Sequence, residues 1–184
     1  MTILKKALTG VAALALSATG VLADTELTVY TAVEAEDLAR YAETFNASHP
    51  DIKINWVRDS TGVITAKLLA ERDNPQADAV WGLAATSLLL LKSEGMLEAY
   101  APVGVEKLDP KFVDKDATPA WVGMDAWVAS VCYNTVESEK LGLTPPTSWQ
   151  DLTNAQYKGH VIMPNPASSG TGFLDVSSWL HIFG

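Results

Sequence analysis

The stretch IKINWVRDSTGVITAKLLAERDN, residues 52–74, decides the fold class because two different structural patterns meet in it. Ile52, Ile54 and Trp56 alternate with polar residues, which is typical of a half-buried strand. The run that begins with VITAKLLAERDN has the composition and spacing of a helix. A polar corner, STG at 60–62, lies between the two. The stretch therefore predicts a strand, a corner and a helix in that order.

The same order of strand, corner and helix occurs elsewhere in the chain. Residues 27–30 alternate like a strand and lead into a helix-like run with acidic residues in its first turn. Residues 79–81 predict a short third strand, after which Thr86 and Ser87 open a helix. Residues 160–183 predict a fourth unit, with a strand at its start and a helix at its end.

Strands that alternate with helices predict an α/β fold with an open, mostly parallel sheet, because parallel neighbours need crossover connections. Ligands bind such sheets beyond the carboxyl ends of the strands. The corners at 31–34, 60–62 and 84–87 should lie at that edge. The fourth corner, MPNPASSGTGF at 163–173, has the same polar, glycine-containing composition.

These corners have the composition of anion-binding sites. A helix N-terminus carries free backbone N–H groups and about half a positive charge, hydroxyls add donors, and glycine allows close backbone approach. Phosphate, phosphonate, sulfate or carboxylate would fit. The alternative for each corner taken alone is ordinary N-capping by serine or threonine, without a ligand.

The N-terminus and the net charge indicate an exported protein that does not bind nucleic acid. Residues 1–23 have the basic, apolar and small-residue regions of a secretory signal peptide. Its removal takes away Lys5 and Lys6, so the formal net charge of −9 becomes −11. Such an acidic chain opposes binding to nucleic acid. The single cysteine, Cys132, lies in an apolar run, where we expect a buried core residue.

Catalytic motifs are absent from the sequence. The 163–173 corner lacks the lysine of a nucleotide P-loop, and Ser168 has no G-x-S-x-G around it. His49, His160 and His181 have no partner at metal-ligand spacing. We therefore expect neither a catalytic residue nor a metal or other cofactor.

Four runs together resemble the solute-binding proteins of ABC importers. They are LTVYTAVEAEDL at 27–38, residues 54–97, PAWVGMDAWVASVCYNT at 119–135, and YKGHVIMPNPASSGTGF at 157–173. The similarity is greatest to 2-aminoethylphosphonate-binding proteins, which are relatives of the ferric-ion-binding periplasmic proteins. The resemblance implies the type II periplasmic binding fold, in which two α/β lobes close on a ligand by a hinge motion.

The resemblance also implies a division of the chain into lobes. Residues 24–120 would form the first lobe, 121–134 the crossing strand and hinge, and 135–184 the start of a second lobe that is incomplete here. Family members are much longer, so we expect weak binding or poor solubility from the 184 residues alone. The expected partners are a small anionic or zwitterionic ligand and the permease and ATPase of an importer. We expect a monomer in the periplasm.

Carried onto this sequence, the family's cleft would be lined from both lobes. The resemblance also makes Glu34 a candidate for the ligand's ammonium group. It makes Arg58 a candidate for the ligand's anion, with Asp59 or solvent as the alternative partner of Arg58. The cleft residues implied are Thr31, Ser60, Thr61, Thr86, Ser168, Ser169, Gly170 and Thr171.

Three other functions stay open at this point. A ferric ion or another anion would be bound by a protein of the same superfamily, with tyrosine ligands outside the present chain. An exported enzyme that processes phosphate or phosphonate compounds would need a nucleophile or acid-base group at the corners. A non-functional remnant of a binding protein would have the same sequence features.

Overall fold

A computed structural model of the protein describes residues 25–184. Within these residues the fold is α/β, with three parallel strands and five α-helices. The predicted signal peptide at 1–23 lies outside the described residues. None of the helices in residues 25–184 is long and apolar enough to cross a membrane.

The first part of the chain contains the three predicted strand and helix units. The strands are β1 at Thr25–Thr31, β2 at Ile52–Arg58 and β3 at Ala79–Val80. They form a sheet in the order β2-β1-β3 with both pairings parallel, as the alternating pattern predicted. The helices that follow them are α1 at Ala35–Ser48, α2 at Thr61–Ala70 and α3 at Ala85–Ser93.

Helix α3 begins earlier than the sequence predicted. Its N-cap is Ala84, and no side chain accepts a hydrogen bond at that position. Thr86 and Ser87 were predicted to open the helix but lie in its first turn. Main-chain hydrogen bonding to the Ala84 carbonyl, from the N–H groups of Ser87 and Leu88, starts this helix without a hydroxyl cap.

The core of this part lies between the sheet and helices α2 and α3. Tyr30 of β1 and Ile64 of α2 are almost fully buried, and Leu83 and Leu91 pack with them. The Tyr30 hydroxyl donates to Glu71 Oε2 over 2.9 Å, which satisfies its polar group at the edge of the core. This packing holds the N-termini of α2 and α3 at the carboxyl edge of the sheet.

The second part contains less regular structure. Helix α4 spans Thr135–Leu141 and helix α5 spans Gly170–Phe183, with short 3-10 turns at Gln150–Thr153 and Ala155–Tyr157. The 3-10 turns at Val105–Lys107 and Pro110–Phe112 lie in the connection from the first part.

The strands predicted at 160–163 and along 121–134 do not form in the described part of the chain. A single antiparallel bridge joins Val122 to Val113. A strand needs a neighbouring strand for its hydrogen bonds, and residues 25–184 provide none along these two runs. The same reason explains Cys132, which was expected in the core and is exposed.

Candidate functional site

The N-termini of helices α2, α3 and α5 meet at Gly170. A Cβ atom added to this glycine would lie 2.8 Å from Thr61 Oγ1 and 3.4 Å from Ala84 Cβ. Thr61 is the first residue of α2, Ala84 is the N-cap of α3, and Gly170 is the first residue of α5. Three partially positive helix ends therefore converge at one point. We call this place the three-helix corner.

Helix α2 also touches the loop before α5 directly. The Gly62 N–H donates to the Ser168 carbonyl over 2.9 Å. A Cβ atom on Gly62 would lie 2.6 Å from the Ala167 carbonyl oxygen and 2.8 Å from that of Ser168. Both distances are too short for a carbon and an oxygen, so only glycine permits this contact. The glycines of both corners serve close packing here, and the approach of a ligand that the sequence suggested stays a prediction.

Free N–H groups remain at the three-helix corner despite this contact. The backbone N–H groups of Thr61, Thr86, Gly170 and Thr171 have no hydrogen-bond acceptor among residues 25–184. Gly172 N–H donates to the Ser169 hydroxyl oxygen over 3.3 Å. The corner thus offers several backbone donors to an anion from more than one helix.

Ordinary N-capping explains the serine hydroxyl at one of the two hydroxyl-rich corners and not at the other. Ser169 is the N-cap of α5, and its side chain accepts the N–H of Gly172. Ser60 is the N-cap of α2, but its hydroxyl does not cap the helix and lies 3.4 Å from Asp59 Oδ1. The Ser60 hydroxyl is therefore not needed for capping.

Three predicted site residues have other surroundings. Thr31 is fully buried at 0% exposure, and its hydroxyl oxygen accepts the Val33 N–H over 3.1 Å. The Thr31 side chain therefore stabilises the turn after β1. The guanidinium of Arg58 forms an ion pair with Glu34 and donates to the Val33 carbonyl over 2.9 Å. The roles proposed for Thr31, Glu34 and Arg58 in ligand binding stay predictions.

A cavity of about 640 Å³ opens beside the three-helix corner. Thr86 and Gly170 line it on the corner side, and the aromatic rings of Tyr100, Trp121 and Trp127 line it elsewhere. Its walls are mostly apolar, and such walls with a few converging polar groups are typical of small-molecule sites. Ala84 lies in the predicted corner 84–87 but was not predicted as a site residue, since an alanine N-cap has no hydroxyl to mark it.

Comparison with known proteins shows the family of this chain. The family described as "Bacterial extracellular solute-binding protein" matches residues 40–183. "Probable ABC transporter periplasmic-binding protein y4fP" of Sinorhizobium fredii is 32% identical over 82% of this chain and 40% of its own length. A Salmonella typhi protein provisionally named a 2-aminoethylphosphonate-binding periplasmic protein is 29% identical over 72% of this chain and 36% of its own length.

A solved structure has the same fold. The periplasmic binding protein AfuA from Actinobacillus pleuropneumoniae, with exogenous fructose-6-phosphate bound, matches with a TM-score of 0.73 and 29% identity. The match covers 87% of this chain and 51% of AfuA. The present chain therefore spans about half or less of the length of these relatives. The α/β fold with a parallel sheet is that of the periplasmic binding proteins.

Proposed function

The chain belongs to the bacterial extracellular solute-binding proteins, and on that premise we propose that it captures a small ligand by a phosphonate or phosphate group at the three-helix corner. A phosphonate such as 2-aminoethylphosphonate is the ligand that we favour. The protein would act in the periplasm and deliver this ligand to the permease and ATPase of an ABC importer. It would bind its ligand without chemical change.

The convergence of three helix N-termini at Gly170 carries this proposal. Each helix end contributes free backbone donors and a partial positive charge, so an anion held there gains from all three. Residues 60–62, 84–87 and 166–172 contain no lysine or arginine, so the backbone and the hydroxyls would supply the contacts. A tetrahedral group with three oxygens suits donors that arrive from several directions better than a planar carboxylate does.

Two relatives support this ligand chemistry. The Salmonella typhi relative has a name that refers to an aminophosphonate, and AfuA was solved with a sugar phosphate. Both compounds combine a tetrahedral phosphorus group with a small polar body. The cavity of about 640 Å³ leaves room for a sugar phosphate, which is therefore the second candidate ligand.

A fluorescence titration of the purified chain tests the proposal, because Trp121 and Trp127 line the cavity and would report on binding there. We expect saturable binding of 2-aminoethylphosphonate, with fructose 6-phosphate as the comparison ligand and acetate as the carboxylate control. Thr61→Val should weaken binding roughly tenfold, because the loss of one hydrogen bond to a charged group costs about 1.5 kcal/mol.

Thr135→Val is the matched control. Thr135 is also the first residue of a helix, α4, and its side chain is exposed away from the three-helix corner. This variant should bind like the unmodified chain. Binding of neither phosphorus compound at millimolar concentration would refute the proposal, and so would equal weakening by Thr61→Val and Thr135→Val.

A further inference from the structure

A second cavity, of about 440 Å³, lies against the side of helix α5. Thr171 in the first turn of α5 lines it, and so do Asp175 and Trp179 farther along the same helix. The opposite wall comes from the extended runs 130–134 and 160–164. Thr171 therefore connects the N-terminus of α5, at the three-helix corner, with this second cavity.

Two buried polar atoms of this cavity, Asp175 Oδ1 and Trp179 Nε1, have no hydrogen-bond partner within residues 25–184, and Asp175 is the one that carries a charge. Its exposure is 8%, and its Oδ1 atom has no hydrogen-bond partner within residues 25–184. Asp175 follows Thr171 by four residues, so both lie on one face of α5. Side chains in a helix lean towards its N-terminus, which brings the carboxyl group of Asp175 towards the end where an anion would bind. A buried carboxylate without a partner is strongly unfavourable, and this one lines a cavity.

The protein groups around this cavity do not supply the missing partner. The described residues that line it include no lysine or arginine, and His160, which also lines it, forms no hydrogen bond or ion pair with Asp175. Glu137, the other acid in the wall, is paired with Lys140 over 2.6 Å. The hydroxyl groups of Tyr133 and Tyr157 donate to the carbonyls of residues 143 and 144. Within residues 25–184, no side chain of the wall pairs with the Asp175 carboxylate, which leaves it available to a positively charged ligand group.

We propose that Asp175 binds the positively charged amine of a zwitterionic ligand, whose phosphonate or phosphate end is held at the N-terminus of α5. This inference rests on the proposed function and narrows its ligand class to aminophosphonates and aminophosphates. It places the amine end of the ligand in the second cavity, which Thr171 and Asp175 line, and not in the first. The free N–H of Thr171 serves the anionic end and the Asp175 carboxylate serves the cationic end. A short ligand along one face of α5 reaches both, since residues four apart on a helix have Cβ atoms about 5–6 Å apart.

Two further observations favour Asp175 as the partner of a ligand's amine. Trp149 and Trp179 line it with ring centroids 5.6 Å apart in an edge-to-face arrangement, and aromatic rings attract ammonium groups. Glu34 was the amine partner that the sequence resemblance suggested, but its carboxylate already pairs with Arg58. Asp175 is therefore better placed than Glu34 to take a ligand's charge.

Two ligands that differ only in the amine test this proposal. The purified chain is titrated with 2-aminoethylphosphonate and with ethylphosphonate, and each titration is repeated with Asp175→Asn. Unmodified protein should prefer the amine-bearing ligand by about tenfold or more, as expected for a hydrogen bond to a charged group. Asp175→Asn should remove this preference and leave ethylphosphonate binding unchanged. Asp37→Asn, the same change at an exposed position of α1, should preserve the preference.

The outcomes separate this inference from the proposed function. If unmodified protein binds both phosphonates equally, Asp175 does not recognise the amine, and this result needs no variant to fold. If Asp175→Asn weakens both ligands to the same extent, its role is structural and the inference is wrong. If unmodified protein binds neither phosphonate, the proposed function itself fails.

Discussion

Replacement of Gly62 by alanine tests the contact between helix α2 and the loop before α5. The new methyl group would lie 2.6 Å from the Ala167 carbonyl oxygen and 2.8 Å from that of Ser168. Both atoms belong to the backbone, so neither can rotate away as the end of a side chain could. The loop would have to move away from α2, and the hydrogen bond from Gly62 N–H to Ser168 would lengthen or break.

The expected cost follows from three contributions to the free energy of unfolding. Overpacking against fixed atoms costs about 1–3 kcal/mol. The lost hydrogen bond costs about 1 kcal/mol. Alanine regains up to about 1 kcal/mol over glycine in a helix. The variant should therefore be destabilised by about 1–3 kcal/mol. The N-terminus of α2 and the loop before α5 should move apart at the three-helix corner.

Urea unfolding followed by tryptophan fluorescence measures the free energy of unfolding. Titration with 2-aminoethylphosphonate measures the affinity of the three-helix corner for this ligand. Gly142→Ala is the control, because its methyl group meets nothing within 4 Å and its φ of 66° makes alanine costly for a purely local reason. Both variants should lose stability, but only Gly62→Ala should lose ligand affinity. If Gly62→Ala unfolds and binds like the unmodified protein, the close approach is absent and the reasoning fails.

Two further changes probe the cap of α5 and one ion pair. Ser169→Ala removes the acceptor of the Gly172 N–H and should lower the free energy of unfolding by about 1 kcal/mol, measured by urea unfolding. Ser169→Asp keeps a side-chain acceptor at the N-cap and should retain most of this stability. The ion pair with Lys92 at 2.6 Å, helped by the Ala120 N–H, holds the pKa of the Asp114 carboxyl below its ordinary value of 3.8. A lowered pKa stabilises the fold above the ordinary value, and this stability is lost as the pH falls through the lowered pKa. A fall in pH should therefore lower the free energy of unfolding of the unmodified protein more than that of Asp114→Asn. Urea unfolding at several pH values measures both, and an equal fall in the two proteins would contradict this prediction.

The sequence predicted the first part of the fold well because its signals are local. Alternation in β1 and β2 and helical spacing in α1 and α2 depend on neighbouring residues, and the structure has these elements where they were predicted. The prediction of strands at 160–163 and 121–134 was wrong for the described chain. Their composition favours strands, but a strand also needs a partner that residues 25–184 do not provide.

The candidate site was predictable in its chemistry but only partly in its members. Hydroxyl and glycine residues after strands pointed to Thr61 and Gly170, and the structure brings these two together. Ala84 lay in a predicted corner but was not named as a site residue, because its contribution is a backbone position. Asp175 was missed because an acid within a helix usually faces solvent, and only packing shows that this one is buried.

Local sequence patterns are enough to predict the α/β class, the parallel pairing of strands that alternate with helices, and the polar corners at which the helices start. These properties follow from hydrophobic periodicity and helix-start residues, which act over a few positions. The meeting of the N-termini of α2, α3 and α5 at Gly170 is visible only in the three-dimensional structure. Only the tertiary contacts show that Asp175 faces a cavity and that its Oδ1 atom has no hydrogen-bond partner within residues 25–184. Such contacts join residues that are distant in the sequence, and no local pattern records the distance between them.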